Sequence, residues 1–176
     1  CIRDRNQQVL QKFQELYFPK SDIQRMQIPF IQLTDVRFEN CDLSNISFAE
    51  SSLYRVEFIF CKLLGTNFSE TTLNHILLHE CNAGYINLAM SKMNQVRFAH
   101  CLFRNGSFND CRFSSVAFDS CDLVEADFSH APLRGIDLRT SRISSITLNT
   151  SDLKGAIITS LQAMDLLPLL GVIIED

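Results

Sequence analysis

Tryptophan is absent from this sequence, and glycine and proline are scarce, with six and four residues in 176. No run of about 18 apolar residues occurs, so we expect no membrane-spanning helix. A basic surplus is also missing, because 16 lysines and arginines stand against 20 aspartates and glutamates, a net charge of −4. This balance excludes a protein that binds nucleic acid through a general basic surface. With 46% hydrophobic and 20% charged residues, the composition is that of a folded protein.

The N-terminal sequence lacks the apolar segment of about 7–15 residues that a signal peptide needs. The seven cysteines are an odd number in a chain too long for a small disulfide scaffold. We therefore expect a cytoplasmic protein whose thiols are reduced.

Hydrophobic residues repeat every five positions. Every fifth residue from Ile23 to Ile158 is apolar, and the residue two places before each is small or apolar. None of these 56 positions carries a charge, although 27 charged residues lie between positions 21 and 160. A helix repeats at 3.6 residues and a strand at 2, so neither explains the pattern. All of these side chains can face one interior only if the backbone turns a corner about every five residues.

A second period of 20 residues sets the number of corners. Cysteine recurs at this spacing, at Cys41, Cys61, Cys81, Cys101 and Cys121. Four sides of five residues therefore make one coil, and like residues stack on like. Residues 21–160 predict an all-β solenoid of about seven coils, each about 4.8 Å above the last. Its stability is a sum over neighbouring coils, and its two ends need caps.

Both ends of the solenoid are predicted to carry helices. Apolar residues at helical spacing before Pro19, among them Phe13 and Leu16, predict an N-terminal helical cap within residues 1–20. Residues 161–176 predict a short C-terminal helix and tail, with Thr159 or Ser160 as the N-cap and Gly171 as the stop.

Several five-residue units resemble the pentapeptide-repeat family, whose units read small residue, Asp or Asn, Leu or Phe, then two variable positions. The best matches are CDLSN at 41–45, TNFSE at 66–70, CDLVE at 121–125, ADFSH at 126–130 and SDLKG at 151–155. The resemblance implies a right-handed quadrilateral β-helix over residues 21–160.

A narrower resemblance lies at 151–174, SDLKGAIITSLQAMDLLPLLGVII, which looks like the C-terminus of Qnr-type fluoroquinolone-resistance proteins. The segments at 36–45 and 63–70 resemble the Qnr-like proteins of Gram-positive bacteria. The resemblance implies a non-enzymatic mimic of duplex DNA that binds DNA gyrase and topoisomerase IV and affects quinolone resistance. It also implies a homodimer formed by the C-terminal segment, through Leu161, Met164, Leu167, Leu170, Val172 and Ile173. The loops that interrupt the coils of many Qnr proteins are absent here, so binding is expected more firmly than protection from drug.

Charge limits how such mimicry could work. A 34 Å length of B-DNA carries about 20 charges, whereas residues 21–160 carry 15 acidic and 12 basic side chains. Mimicry must therefore use one side of the rod. The candidate is an outward column of Glu50, Glu70 and Asp110, interrupted by Met90 and followed by His130 and Thr150. A solvated surface without a partner is the alternative.

No catalytic, cofactor or metal site is predicted. The cysteines lack C-x₂-C spacing and histidine partners, and they suit small buried core positions. His75, His79, His100 and His130 fall at outward positions with no nucleophile nearby. An enzymatic β-helix would need long inserted loops around a groove, and none is present. A rod-like scaffold or immunity factor for another partner remains the alternative to a topoisomerase-binding protein, without direct nucleic-acid or membrane binding.

Overall fold

The computed structural model describes residues 11–19 and 29–171. Six strands run parallel in one sheet, in the order of the sequence. They are β1 (Gln11–Pro19), β2 (Ile31–Glu39), β3 (Ser52–Ile59), β4 (Thr72–His79), β5 (Lys92–Ala99) and β6 (Arg112–Asp119). Each residue pairs with the residue 20 positions later, as Val36 pairs with Val56. Isolated bridges keep the same offset outside the strands, as between Asp42 and Lys62. The predicted parallel solenoid with a 20-residue coil is confirmed.

The corners are marked by a left-handed backbone. Every fifth residue from Phe30 to Gly155 has a positive φ except Thr140 and Thr150. Most of these residues are not glycine, and Arg55, with φ of 52°, bends β3 in its middle. A positive φ costs an L-residue about 1–2 kcal/mol, so each corner must be held by its neighbours. At many corners a backbone hydrogen bond closes the turn, such as the 3.1 Å bond from Thr66 N to Leu63 O.

From Ile31 onward, the predicted apolar positions form one continuous core. Phenylalanine side chains stack on one another between coils, with ring centroids 5.0 Å apart for Phe38–Phe58 and 4.8 Å for Phe108–Phe128. Rings from different columns meet edge to face, as Phe108 and Phe118 do. Since stacked aromatic pairs add stability beyond their buried area, these columns tie each coil to the next.

Small residues beside the core bond to the coil below them. The hydroxyl of Thr66 donates to Leu43 O at 2.9 Å, and the thiol of Cys111 donates to Leu88 O at 2.9 Å. The six cysteines between residues 29 and 171 are free and buried. Burial raises the pKa of Cys111 and of Cys121 to about 12, so both thiols stay protonated and can donate. Their role is therefore structural.

The predicted N-terminal helix is wrong where the structure describes that region. Residues 11–19 form β1, which pairs with β2 through Phe13–Leu33 and Phe18–Phe38. Phe13 and Leu16 are three residues apart, a spacing that a helix and a five-residue corner share. Phe13 and Phe18 continue the five-residue series, and that series was the better guide. Residues 1–10 and 20–28 lie outside the described residues.

The coil count also differs from the predicted seven. Among the described residues, the long strand that marks a coil occurs six times, and residues 131–140 do not form it. Arg112 N donates to Ser91 O at 3.0 Å at the start of β6. Pro132 holds the equivalent position one coil later and has no N–H to donate, so the strand is lost.

The C-terminal end is helical, as predicted. Helix α1 (Ser160–Leu166) is capped by Thr159, whose side chain accepts a hydrogen bond from Gln162 N. The chain continues as a 3₁₀ helix (Leu167–Leu170), with Pro168 near its start, and ends at Gly171, whose φ is 72°. Thr159 and Gly171 thus act as the predicted cap and stop.

Replacing Phe108, which is fully buried, tests the packing of the core. Phe108→Ala should lower the free energy of unfolding by about 3–5 kcal/mol, through lost burial and the cavity left behind. Urea denaturation measures this change. Thr72→Ala, on the exposed side of β4, is the control and should change stability by less than about 0.5 kcal/mol. Equal stability of the two variants would contradict the core assignment.

Candidate functional site

The three residues of the predicted acidic column lie along one corner of the rod. Glu50, Glu70 and Asp110 are exposed corner residues with φ of 57°, 56° and 56°. Their backbone N–H groups donate to the next coil, to Ser69 O at 2.9 Å, Ala89 O at 2.8 Å and Ser129 O at 2.8 Å. The inter-coil hydrogen bonds thus fix the positions from which these side chains project.

The column is interrupted as expected. Met90 takes the corner between Glu70 and Asp110, with 55% of its surface exposed. His130 follows Asp110, and its Nδ1 lies 3.5 Å from the Asp110 carboxylate. Glu50 and Glu70 form no ion pair within residues 29–171, so their charges face solvent unneutralised.

The side of the rod that ends in this column carries no lysine or arginine. We call it the acidic face, which comprises residues 46–50, 66–70, 86–90, 106–110, 126–130 and 146–150. It holds four carboxylates and no lysine or arginine. The residues between its corners are mostly Ser, Ala, Asn or Thr, and they are half-buried on most coils, so the face is flat beside a charged ridge.

Sequence reasoning missed Asp127, the fourth carboxylate of the acidic face. Its Oδ1 accepts bonds from the backbone N and the hydroxyl of Ser129, at 2.9 and 2.6 Å. The absence of lysine and arginine from the whole face was also missed. Sorting the charged residues by their position in the 20-residue coil would have shown both features.

The predicted dimer residues are not all on one exposed surface. Leu161 and Met164 on α1 are 77% and 50% exposed, whereas Leu167 is half-buried. The side chain of Leu170, and Val172 and Ile173 entirely, lie outside the described residues. Leu161 and Met164 therefore form the described part of an apolar surface at the end of the rod.

Gln162 attaches α1 to the solenoid and was missed because glutamine is rarely a core residue. It is buried, and its Nε2 donates to Leu138 O and Ser141 O, both at 2.7 Å. Its Oε1 accepts from Thr159 N at 2.8 Å. Leu166 is buried beside it. These contacts fix the face of α1 that leaves Leu161 and Met164 outside.

The predicted outward histidines include two that lie close together in the described part of the chain. His79 and His100 lie on successive coils with ring centroids 5.9 Å apart, and Nε2 of His79 is 3.2 Å from Glu80. No group of three or more His, Cys, Asp or Glu residues suited to a metal ion occurs among residues 29–171.

Comparison with known sequences identifies the family. The profile described as a pentapeptide repeat region matches residues 31–98, 51–128 and 90–158. The chain belongs to the pentapeptide repeat family. No curated protein matches its sequence. None of the described helices is long and apolar enough to cross a membrane.

Solved structures with a similar fold include other pentapeptide repeat proteins. HetL, involved in heterocyst differentiation regulation in the cyanobacterium Nostoc, shares 16% identity over 85% of this chain and 87% of its own, with a TM-score of 0.46. A trypsin-treated variant of QnrB1, a plasmid-mediated fluoroquinolone resistance protein, shares 17% over 94% and 90%, with a TM-score of 0.44. Full-length QnrB1 shares 19% over 92% and 100%, with a TM-score of 0.32. Likenesses of this size carry no argument about partners.

Removing the Gln162 side chain tests how α1 is attached. Gln162→Ala removes the hydrogen bonds to Ser141 O, Leu138 O and Thr159 N, at an expected cost of about 1–3 kcal/mol, although Leu138 O keeps its bond from Ser141 N. Amide hydrogen exchange should show faster exchange in α1 while the strands stay protected. Leu161→Ala, which removes an exposed side chain, should leave exchange unchanged. If both variants exchange alike, Gln162 is not the attachment.

Proposed function

We propose that this pentapeptide repeat protein is a non-enzymatic rod that binds type II topoisomerases, DNA gyrase and topoisomerase IV, through its acidic face. It would occupy the surface that otherwise holds a DNA segment. Transient displacement of DNA would destabilise the drug-trapped cleavage complex and so modulate quinolone sensitivity. The observation that carries the proposal is the face with four carboxylates and no lysine or arginine.

Electrostatics supports this choice of face. A DNA-binding surface is positively charged, and complementary charge speeds association and selects the partner. Three of the four carboxylates, those of Glu50, Glu70 and Asp110, project from hydrogen-bonded corners, so little ordering is needed on binding. Four carboxylates over six coils are far fewer than the charges of a duplex of that length. Recognition therefore depends on where these charges lie rather than on their number.

The resemblance of the C-terminal segment to Qnr-type proteins supports the choice of topoisomerases as the partner. The same resemblance supports a homodimer, and the exposed Leu161 and Met164 are suitable contacts at the end of the rod. A dimer would place two acidic faces on one elongated particle.

A different protein partner is the second candidate. Three large apolar side chains, Leu64, Tyr85 and Leu102, are exposed on the side containing residues 61–65, 81–85 and 101–105, with Tyr85 at 65%. Aromatic residues are common anchors of protein interfaces. This surface favours a scaffold or immunity factor if the acidic face has no topoisomerase partner.

Neutralising the column tests the proposal. Glu50→Gln, Glu70→Gln and Asp110→Asn together should raise roughly tenfold the concentration needed to alter gyrase supercoiling, as loss of about 1.4 kcal/mol would. Supercoiling is measured with and without ciprofloxacin, and rescue in drug would establish protection. The control is Glu57→Gln, Glu80→Gln and Asp119→Asn, with the same charge change on another side. Equal effects of the two triple variants, or no effect of the wild type on either enzyme, would contradict the proposal.

The dimer has its own test. Leu161→Asp with Met164→Asp places two charges on the exposed surface of α1 and should yield monomers in sedimentation equilibrium at high salt, because burying charge there is costly. Ser145→Asp with Thr147→Asp adds the same charge on the solenoid and should leave the mass unchanged. An unchanged mass for the α1 variant would refute this interface.

A further inference from the structure

On three sides of the rod, opposite charges pair from one coil to the next. Residues 20 apart pair as Asp35–Arg55, Arg37–Glu57 at 2.9 Å, Asp42–Lys62 at 3.7 Å and Asp122–Arg142 at 3.4 Å. In each of these pairs, a charged residue is stacked on a residue of opposite charge in the next coil. The acidic face does not follow this rule, because Glu50 and Glu70 are stacked neighbours of like charge.

The adjacent side of the rod has the opposite charge. We call it the basic face, which comprises residues 51–55, 71–75, 91–95, 111–115, 131–135 and 151–155. Four of its five exposed cations, Lys92, Arg112, Arg134 and Lys154, form no ion pair within residues 29–171. The fifth, Arg55, pairs with Asp35 of the preceding coil. Its acidic residue, Asp152, is buried and accepts bonds from His130 N and Asn149 Nδ2, at 3.0 and 2.9 Å.

Lys92 and Arg112 lie directly opposite each other in the β5–β6 register. Like charges in that arrangement destabilise a sheet. The alternative of opposite charges is used elsewhere on the same rod, so stability alone does not account for this pair. A negatively charged partner would remove the repulsion.

A groove of roughly 750 Å³ lies where the two faces meet. Lys92 and Arg112 line it from the basic face, and Asp110 and Met90 from the acidic face. Half-buried Phe113 and exposed Pro132 add apolar surface. The groove between the two faces therefore offers both charged and apolar contacts to a partner.

We propose that the basic face binds the acidic face of a second copy of this chain. Both faces repeat at the same rise per coil, so their charges stay in register along two parallel rods. A shift of two coils, about 10 Å, brings Glu50 level with Lys92 and Glu70 level with Arg112, each 42 residues apart in number. The same shift brings Asp110 level with Lys154, 44 apart, and Met90 level with Pro132.

The association is weak, sensitive to salt and not limited to two copies. Its ion pairs remain near solvent, where each contributes little and salt screens it. The two faces are different surfaces, so the contact is heterologous and leaves a free face on each outer copy. It covers the acidic face and therefore competes with any other partner there, but it does not depend on the topoisomerase proposal.

Sedimentation velocity of the full chain tests the proposal, at about 20 mM and about 500 mM NaCl. The sedimentation coefficient should rise with protein concentration at low salt and stay constant at high salt. A dimer formed through α1 persists at both salt concentrations, so the high-salt value is the baseline. Lys92→Glu with Arg112→Glu should abolish the rise. Lys62→Glu with Arg97→Glu makes the same change in net charge on other sides and should retain it. Loss of the rise in both variants would assign it to net charge and overturn the proposal.

Disulfide cross-linking tests the stagger. In a Cys1→Ser background, Glu70→Cys with Arg112→Cys should give a ladder of cross-linked species on oxidation at low salt. Glu70→Cys with Arg97→Cys has the same number of introduced thiols and should not. Equal cross-linking of the two pairs would overturn the stagger. If the wild type does not self-associate, the proposal is overturned. Binding of poly-glutamate to such a non-associating protein would indicate that the basic face binds a different acidic partner.

Discussion

The 20-residue register between coils is the constraint on which the rest of this structure depends. It places each core residue over another apolar one, so the choice of an apolar side chain is repeated along the interior of the rod. Stacked phenylalanines 4.8–5.0 Å apart and inter-coil bonds from Thr66 and Cys111 result from it. A residue that suits its own coil but not the next costs stability at two interfaces. The register thus determines core and surface together.

The register requires a corner about every five residues, with an unfavourable backbone conformation there. The candidate site lies along one row of these corners. A positive φ is unfavourable at glutamate or aspartate, yet Glu50, Glu70 and Asp110 adopt one because inter-coil bonds hold their backbone. At such a corner the side chain projects away from the core. A residue in the middle of a side, such as Asp127, is instead half-buried and bonds to its own turn. Corners therefore provide the accessible charges.

Sequence predicted the solenoid, the core and the acidic column because the five-residue period reports directly which side chains face inward. It failed at Phe13 and Leu16, since their spacing suits both a helix and a corner. It also failed at Pro132, where one missing N–H ends the series of strands. The absence of that N–H follows from the residue type alone. Gln162 could not be found by any hydrophobic pattern, because its burial depends on two carbonyls, of Leu138 and Ser141, that only the folded coils bring within reach.

Net charge is a poor guide to what such a rod can bind. A value of −4 for the chain conceals an acidic face without lysine or arginine beside a basic face on which four exposed cations form no ion pair within residues 29–171. The register creates this separation, because a substitution changes one column and leaves the others alone. Within about one Debye length of the surface, a partner meets one face rather than the average. Because the two adjacent faces have opposite charge, each copy of the chain carries a basic face that suits the acidic face of another copy. Competition between self-association and partner binding is therefore built into the distribution of charge.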